Sequence, residues 1–259
     1  MYRASGVLLL LTFVLAKPLL GAGSNNATTG RATSLVFDSA DRKIRADLYS
    51  PAGPKSMRTI IVLHGAGGML FDGPRMRRVA RALAEEGDTV YLLHYFNRTG
   101  TIAARDREMQ ARFDDWLQTV RDGIAWAHGR EGNGARPIGI YGYSLGAFLA
   151  IAASSNDPRV GAVTEQAGGM WNSQEGRVGK MPPVLIVHGV TDKRVPFDKY
   201  AKPLLRVLRA RGGEVETDFV PREGHVFSET AMKAVRSKAA EFFAHKLPSI
   251  KASEYAAIR

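Results

Sequence analysis

The sequence predicts an α/β fold: a mostly parallel central sheet with helices on both faces and a pair of antiparallel strands at its N-terminal end. Three observations carry this. Short β-branched runs such as Thr59–Leu63 and Val184–Val187 are apolar throughout, as strands buried on both faces must be. Segments with apolar residues at helical spacing alternate with them. The 259 residues are 45% hydrophobic and 24% charged, which suits one large globular domain with a substantial core.

Ser34–Asp38 and Lys43–Tyr49 alternate as half-buried strands and are joined at Ala40–Asp41, which predicts an antiparallel pair. Pro51–Lys55 is a turn, and Thr59–Leu63 is a central strand running into His64-Gly-Ala-Gly-Gly68. Asp72 as a capping residue and Pro74 open a helix whose apolar face is Met76, Val79 and Leu83, and Gly87 closes it. Thr89–Leu93 is the next strand. A long helix over about 104–128 carries Phe113, Trp116, Leu117, Val120 and Ile124 at helical spacing, and the 129–134 segment breaks it. A strand from Pro137 ends at Ser144, and a helix over Leu145–Ala153 follows at once. Val160–Thr164, Val184–Val187 and Glu216–Val220 complete the strands, with helices at Phe197–Ala210 and Glu229–Lys246.

Before this domain, Arg3, the apolar run Val7–Ala16, Lys17-Pro18 and the small residues Gly21–Ser24 form the pattern of a cleaved export leader. The expected organisation is a signal peptide over 1–23, a flexible linker over 24–33 and a single domain over 34–259, in a periplasmic or secreted protein. No later apolar run reaches the roughly 20 residues a bilayer requires, so no integral membrane association is expected after cleavage. The absence of cysteine rules out disulfides, thiolate metal sites and a thiol nucleophile. The net charge of +11 is scattered, without a dense basic run or interleaved aromatics, and no nucleic-acid partner is expected.

The chemistry-bearing feature is Gly142-Tyr-Ser144-Leu-Gly146, a G-x-S-x-G pattern at a strand-to-helix turn. A hydroxyl there stands clear of the sheet on a strained backbone, and side chains at the flanking positions would collide with the turn. In a chain with 27 glycines the pattern also arises by chance, so its partners decide. A serine needs a base. Of the six histidines, His128 and His245 sit late in helices, His64 and His188 end apolar strands before glycine, and His94 ends another strand. His225, in the loop after the last strand, is the candidate base. Asp192, in the turn after the preceding strand, is the acid that would orient it, and Glu165 is the competing acid. The oxyanion donors are expected from Leu145 N–H and from Ala66 N–H, with Gly67 as the alternative. Tyr143, His94, Tyr95, Phe96 and Trp171 are expected to border the substrate.

These motifs, with 183–196 (PVLIVHGVTDKRVP) and 224–227 (GHVF), resemble the α/β-hydrolase superfamily, and within it the dienelactone hydrolase-like branch, over roughly 34–246. Where typical members of that branch carry a cysteine nucleophile, this chain has Ser144. The resemblance implies a Ser-His-Asp hydrolase without cofactor or metal. The small 167–181 insertion implies an open site for small or medium carboxylic esters. Lactone hydrolysis, acyl transfer and peptide cleavage run on the same triad. A catalytically silent binding protein on the same fold is the competing class.

Overall fold

The computed structural model describes residues 32–51, 53, 56, 58–130 and 136–248. The expected leader and most of the expected linker, residues 1–31, lie outside the described residues. The alternating N-terminal segments form β1 (Thr33–Ser39) and β2 (Arg42–Tyr49), antiparallel and linked by a tight turn with Ala40 at φ 48°. Six strands follow: β3 (Thr59–Leu63), β4 (Thr89–Leu93), β5 (Ile138–Tyr143), β6 (Val160–Gln166), β7 (Val184–Gly189) and β8 (Val215–Val220). The sheet order is β1-β2-β4-β3-β5-β6-β7-β8, parallel from β4 onward.

The helices are α1 (Gly68–Phe71), α2 (Gly73–Glu85), α3 (Asp106–His128), α4 (Leu145–Ser154), α5 (Phe197–Ala210) and α6 (Glu229–Lys246). Side chains alternate across each strand, so one strand feeds two cores. Ile61 and Leu63 of β3 pack with residues of α3, α4 and α5, whereas Ile60 and Val62 pack with residues of α2 and α6. All five residues of β3 are buried, which explains its unbroken apolar run. α4 shows the same logic, with nine buried residues along ten positions.

One detail departs from expectation. Asp72 does not cap α2 with its side chain. Its Oδ2 instead accepts a hydrogen bond from Gly67 N–H at 2.9 Å, because the extra short helix α1 places it over the loop that leaves β3.

In parallel α/β sheets, sites gather beyond the carboxyl ends of the strands. The loops after β3, β5, β7 and β8 carry HGAGG, Ser144, Asp192 and His225, and all four therefore open on one edge.

Candidate active site

Ser144 has φ 54° and ψ −120°, a left-handed conformation that costs a non-glycine residue energy and persists only when its surroundings enforce it. The enforcement is visible. A Cβ on Gly142 would lie 2.6 Å from the Gly146 carbonyl carbon and 2.7 Å from Ala147 Cα. A Cβ on Gly146 would lie 2.6 Å from the Leu63 carbonyl oxygen. The flanking glycines thus let α4 close directly onto β5 and onto the end of β3. The backbone N–H of Ser144 donates to Gln166 O at 2.9 Å, tying the turn to β6.

His225 Nε2 stands 3.0 Å from Ser144 Oγ, and its Nδ1 stands 2.8 Å from Asp192 Oδ2. The carboxylate only accepts, so Nδ1 carries the proton and Nε2 accepts from the serine hydroxyl. The other Asp192 oxygen, Oδ1, accepts from Arg194 N–H and Val195 N–H, both at 2.8 Å. Burial pushes this carboxyl up, but the His225 hydrogen bond, the two backbone donors and the imidazole's charge outweigh it and hold its pKa below the ordinary value. His188 closes the acid's pocket from below. It is fully buried, with Nε2 2.9 Å from Val195 O and 3.5 Å from Asp192 Oδ2, and burial lowers its pKa.

Glu165, the competing acid, is placed otherwise. It is fully buried, and its Oε1 accepts from Gly168 N–H at 2.6 Å in the turn that follows β6. Burial pushes its pKa up to about 8, so the side chain is neutral at pH 7. A Cβ on Gly168 would lie 2.7 Å from Glu165 Oε1 and 3.1 Å from Ser144 O, so Glu165 braces the turn beneath the serine.

The loop after β3 offers donors. Ala66 lines the same cavity as Ser144 and Leu145, while Gly67 N–H is engaged by Asp72. His64 anchors the loop's start: its Nδ1 lies 2.8 Å from Gly65 O, its ring stacks on Tyr95 at 4.2 Å, and burial drives its pKa down to about 3. A neutral His64 is therefore structural.

The cavity over Ser144 measures about 120 Å³. Of the five side chains expected to border the substrate, Trp171 lines it, stacked on Phe148 at 4.9 Å and edge-on to Phe113 at 4.8 Å. The other four are turned away from it. Tyr143 points to the α2/α6 side of the sheet, as strand alternation demands one residue before the serine, and its hydroxyl donates to His225 O at 3.2 Å. His94 faces Asp47 on β2 at 3.0 Å, Tyr95 donates to His64 O at 2.8 Å, and Phe96 packs on Trp116 at 4.4 Å. Sequence reasoning missed Met109, Gln110, Phe148, Val195 and Tyr200 in the lining, and an Asp106–Arg194 ion pair at the cavity's solvent side. That pair joins residues 88 positions apart, and no local pattern announces it.

The dienelactone hydrolase of Anabaena variabilis superposes with a TM-score of 0.71 at 22% identity, covering 85% of this chain and 100% of that one. XC6422 of Xanthomonas campestris, described as an α/β serine hydrolase without lid, gives a TM-score of 0.66 at 17% identity over 85% and 97% of the two chains. These likenesses show the α/β-hydrolase fold. The quorum-quenching protein AidA of Acinetobacter baumannii (strain MDR-ZJ06) is 30% identical over 151 residues, or 57% of this chain. That match takes in 47% of AidA, so the chain spans about half the length of the curated relative it matches. The model of the dienelactone hydrolase family matches residues 44–248, and the chain belongs to that family.

Proposed function

We propose that the protein is a serine hydrolase of small to medium carboxylic esters, working through Ser144, His225 and Asp192. The observation that supports this most is the unbroken hydrogen-bond chain from Ser144 Oγ through His225 to Asp192, on a serine held in strained backbone at the start of α4. In this reading His225 Nε2 takes the hydroxyl proton as Oγ bonds to the ester carbonyl carbon. The carbonyl oxygen gains the negative charge and meets Leu145 N–H and Ala66 N–H, at the positive end of α4. As the tetrahedral species collapses, the carbon–alkoxy bond breaks and the alkoxide leaves with the proton held by His225. Water then repeats the sequence on the acyl-serine, and the acid departs.

Asp192 fixes the imidazole tautomer and stabilises the imidazolium, which suits a carboxyl held in its ionised form. The 120 Å³ cavity fits a short acyl group, and the wider groove beyond Trp171 and Tyr200 leaves room for the alcohol portion. Turnover of aryl esters graded from two to about ten acyl carbons tests the assignment, with lactones, as internal esters, in the same panel. Short acyl groups should react fastest, and no turnover of any member by folded protein would remove the proposal.

The leader-like run at residues 7–16 supports export as the setting. Protein secreted by the native host should begin near residue 24. Recovery of the chain with residues 1–23 intact in the cytosol would contradict this.

A further inference from the structure

Six large apolar side chains are conspicuously exposed among the described residues, between 42% and 69%, and five of them sit in the connections that leave the strands at the edge of the sheet that holds Ser144. Leu70 and Phe71 lie on α1 after β3, Ile102 follows β4, Val190 follows β7, and Val226 adjoins His225 after β8. The sixth, Val36, is on β1. The segments that carry the first three are backbone neighbours. Gly68, which opens α1, lies so close to the Ile102 carbonyl that a Cβ there would clash with it, and Ala104 N–H donates to Ala66 O at 2.8 Å. None of the five lines the cavity over Ser144. They point outward from its rim, where substrate contact inside the site does not explain them.

The same rim is basic. Arg105, Arg107, Lys193 and Arg222 are exposed and have no carboxylate partner among the described residues. Of the nearby acids, Asp106 is neutralised by Arg194 and Asp192 is buried against His225, while Glu108 and Glu223 keep their charges as they accept from Thr101 and Ser228, so four exposed cations face two carboxylates. Exposed apolar side chains and an excess of cations in the same connections match an anionic membrane surface, where the apolar groups enter the acyl boundary and the cations meet headgroup charge. A second copy of the chain fits poorly, since it would bring the same positive rim face to face with this one.

We propose that this rim docks the protein on anionic lipid bilayers with the mouth of the Ser144 cavity against the membrane. The inference goes beyond the hydrolase reading, since docking needs no chemistry at Ser144.

Flotation with unilamellar vesicles of phosphatidylcholine alone, or with about one third phosphatidylglycerol, tests it. The anionic vesicles should retain about tenfold more protein than the neutral ones, and about 1 M salt should release it. The combined variant Leu70→Ser, Phe71→Ser and Ile102→Ser should lose about tenfold in vesicle binding, whereas Val36→Ser, exposed elsewhere, should bind as the native chain does. Should the triple variant fold poorly, as judged by its thermal midpoint, replacing Arg105, Lys193 and Arg222 together by Gln should produce the same loss. Ser144→Ala should bind fully, so failure of docking and failure of catalysis are read separately. Equal retention by both vesicle types, or undiminished binding by the folded rim variants, would overturn the proposal. So would a concentration-dependent dimer that the apolar substitutions abolish.

Discussion

Gly142→Ala is the sharpest perturbation of the turn that raises Ser144. The residue sits on β5, two positions before the serine, and an added Cβ would fall 2.6 Å from the Gly146 carbonyl carbon and 2.7 Å from Ala147 Cα. Ordinary contact begins near 3.4 Å and the Gly146 carbonyl oxygen lies closer still, so α4 must retreat by at least about 0.8 Å. These neighbours are backbone, and no side-chain rotation absorbs the clash. Overpacking of this kind costs about 1–3 kcal/mol of stability. The larger effect is on chemistry. Ser144 Oγ lies 3.0 Å from His225 Nε2, and Leu145 N–H begins the very helix that must move. A misplacement approaching 1 Å lowers turnover about a hundredfold. The assay is hydrolysis of a short aryl ester beside a thermal unfolding curve. Gly176→Ala, where a Cβ meets nothing within 4 Å, is the matched control and should change neither. If Gly142→Ala keeps turnover within about threefold of native, the close approach of α4 to β5 is not what positions the serine.

The remaining predictions concern the triad, its rival acid and the cavity wall. Ser144→Ala and His225→Ala should each lower turnover by about a thousandfold or more with the fold intact, and Asp192→Asn should come close to this, because the wrong imidazole tautomer is favoured. Glu165→Gln should be much milder in the same assay, and a greater loss than in Asp192→Asn would reassign the acid. Glu165 also sets a pH dependence of stability: its carboxyl ionises near 4.5 ordinarily and near 8 in the folded protein. Between these values the folded state keeps a proton that the unfolded chain has released, so stability falls as pH rises through that window. Urea midpoints of Glu165→Gln against native at pH 5 and pH 9 should show the variant gaining relative stability at the higher pH; parallel curves would refute the buried neutral acid. Trp171→Ala should open the 120 Å³ cavity toward the adjoining groove of about 550 Å³, shifting preference toward longer acyl chains in the graded ester panel. An unchanged chain-length profile would show that Trp171 is not the wall.

Much of the fold is legible in the residues because each strand declares its own burial. Thr59–Leu63 is apolar at every position and is buried at every position. The helices at Phe197–Ala210 and Glu229–Lys246 begin and end where the sequence places them, since turn residues or loop segments bound both. Gly142, Ser144 and Gly146 are legible for a related reason: a local backbone constraint leaves its mark within five residues. The short helix α1 was not legible, because four residues carry no periodicity. Asp72 looks like a cap by type, yet whether it caps α2 or reaches back to Gly67 depends on where α1 sets the chain. The substrate wall fared worst. His94, Tyr95 and Phe96 follow β4 and were expected at the site by proximity, but Asp47 of β2, His64 of the β3 loop and Trp116 of α3 engage them. Met109, Gln110 and Tyr200 come to the cavity from the flanks of α3 and α5, where the angle at which a helix lies on the sheet decides which side chains face the serine. Arg194 and Asp106 meet only because the β7 turn and the start of α3 converge on that edge.

The central claim is that the Ser144 hydroxyl is activated by His225. A fluorophosphonate phosphonylates a serine so activated, the Oγ–P bond forming as fluoride leaves, and peptide mass spectrometry locates the adduct. The expected result is a single modification on Ser144, absent in Ser144→Ala and slowed about a thousandfold in His225→Ala. Folded native protein that takes up no reagent, or takes it up on a residue other than Ser144, would contradict the claim.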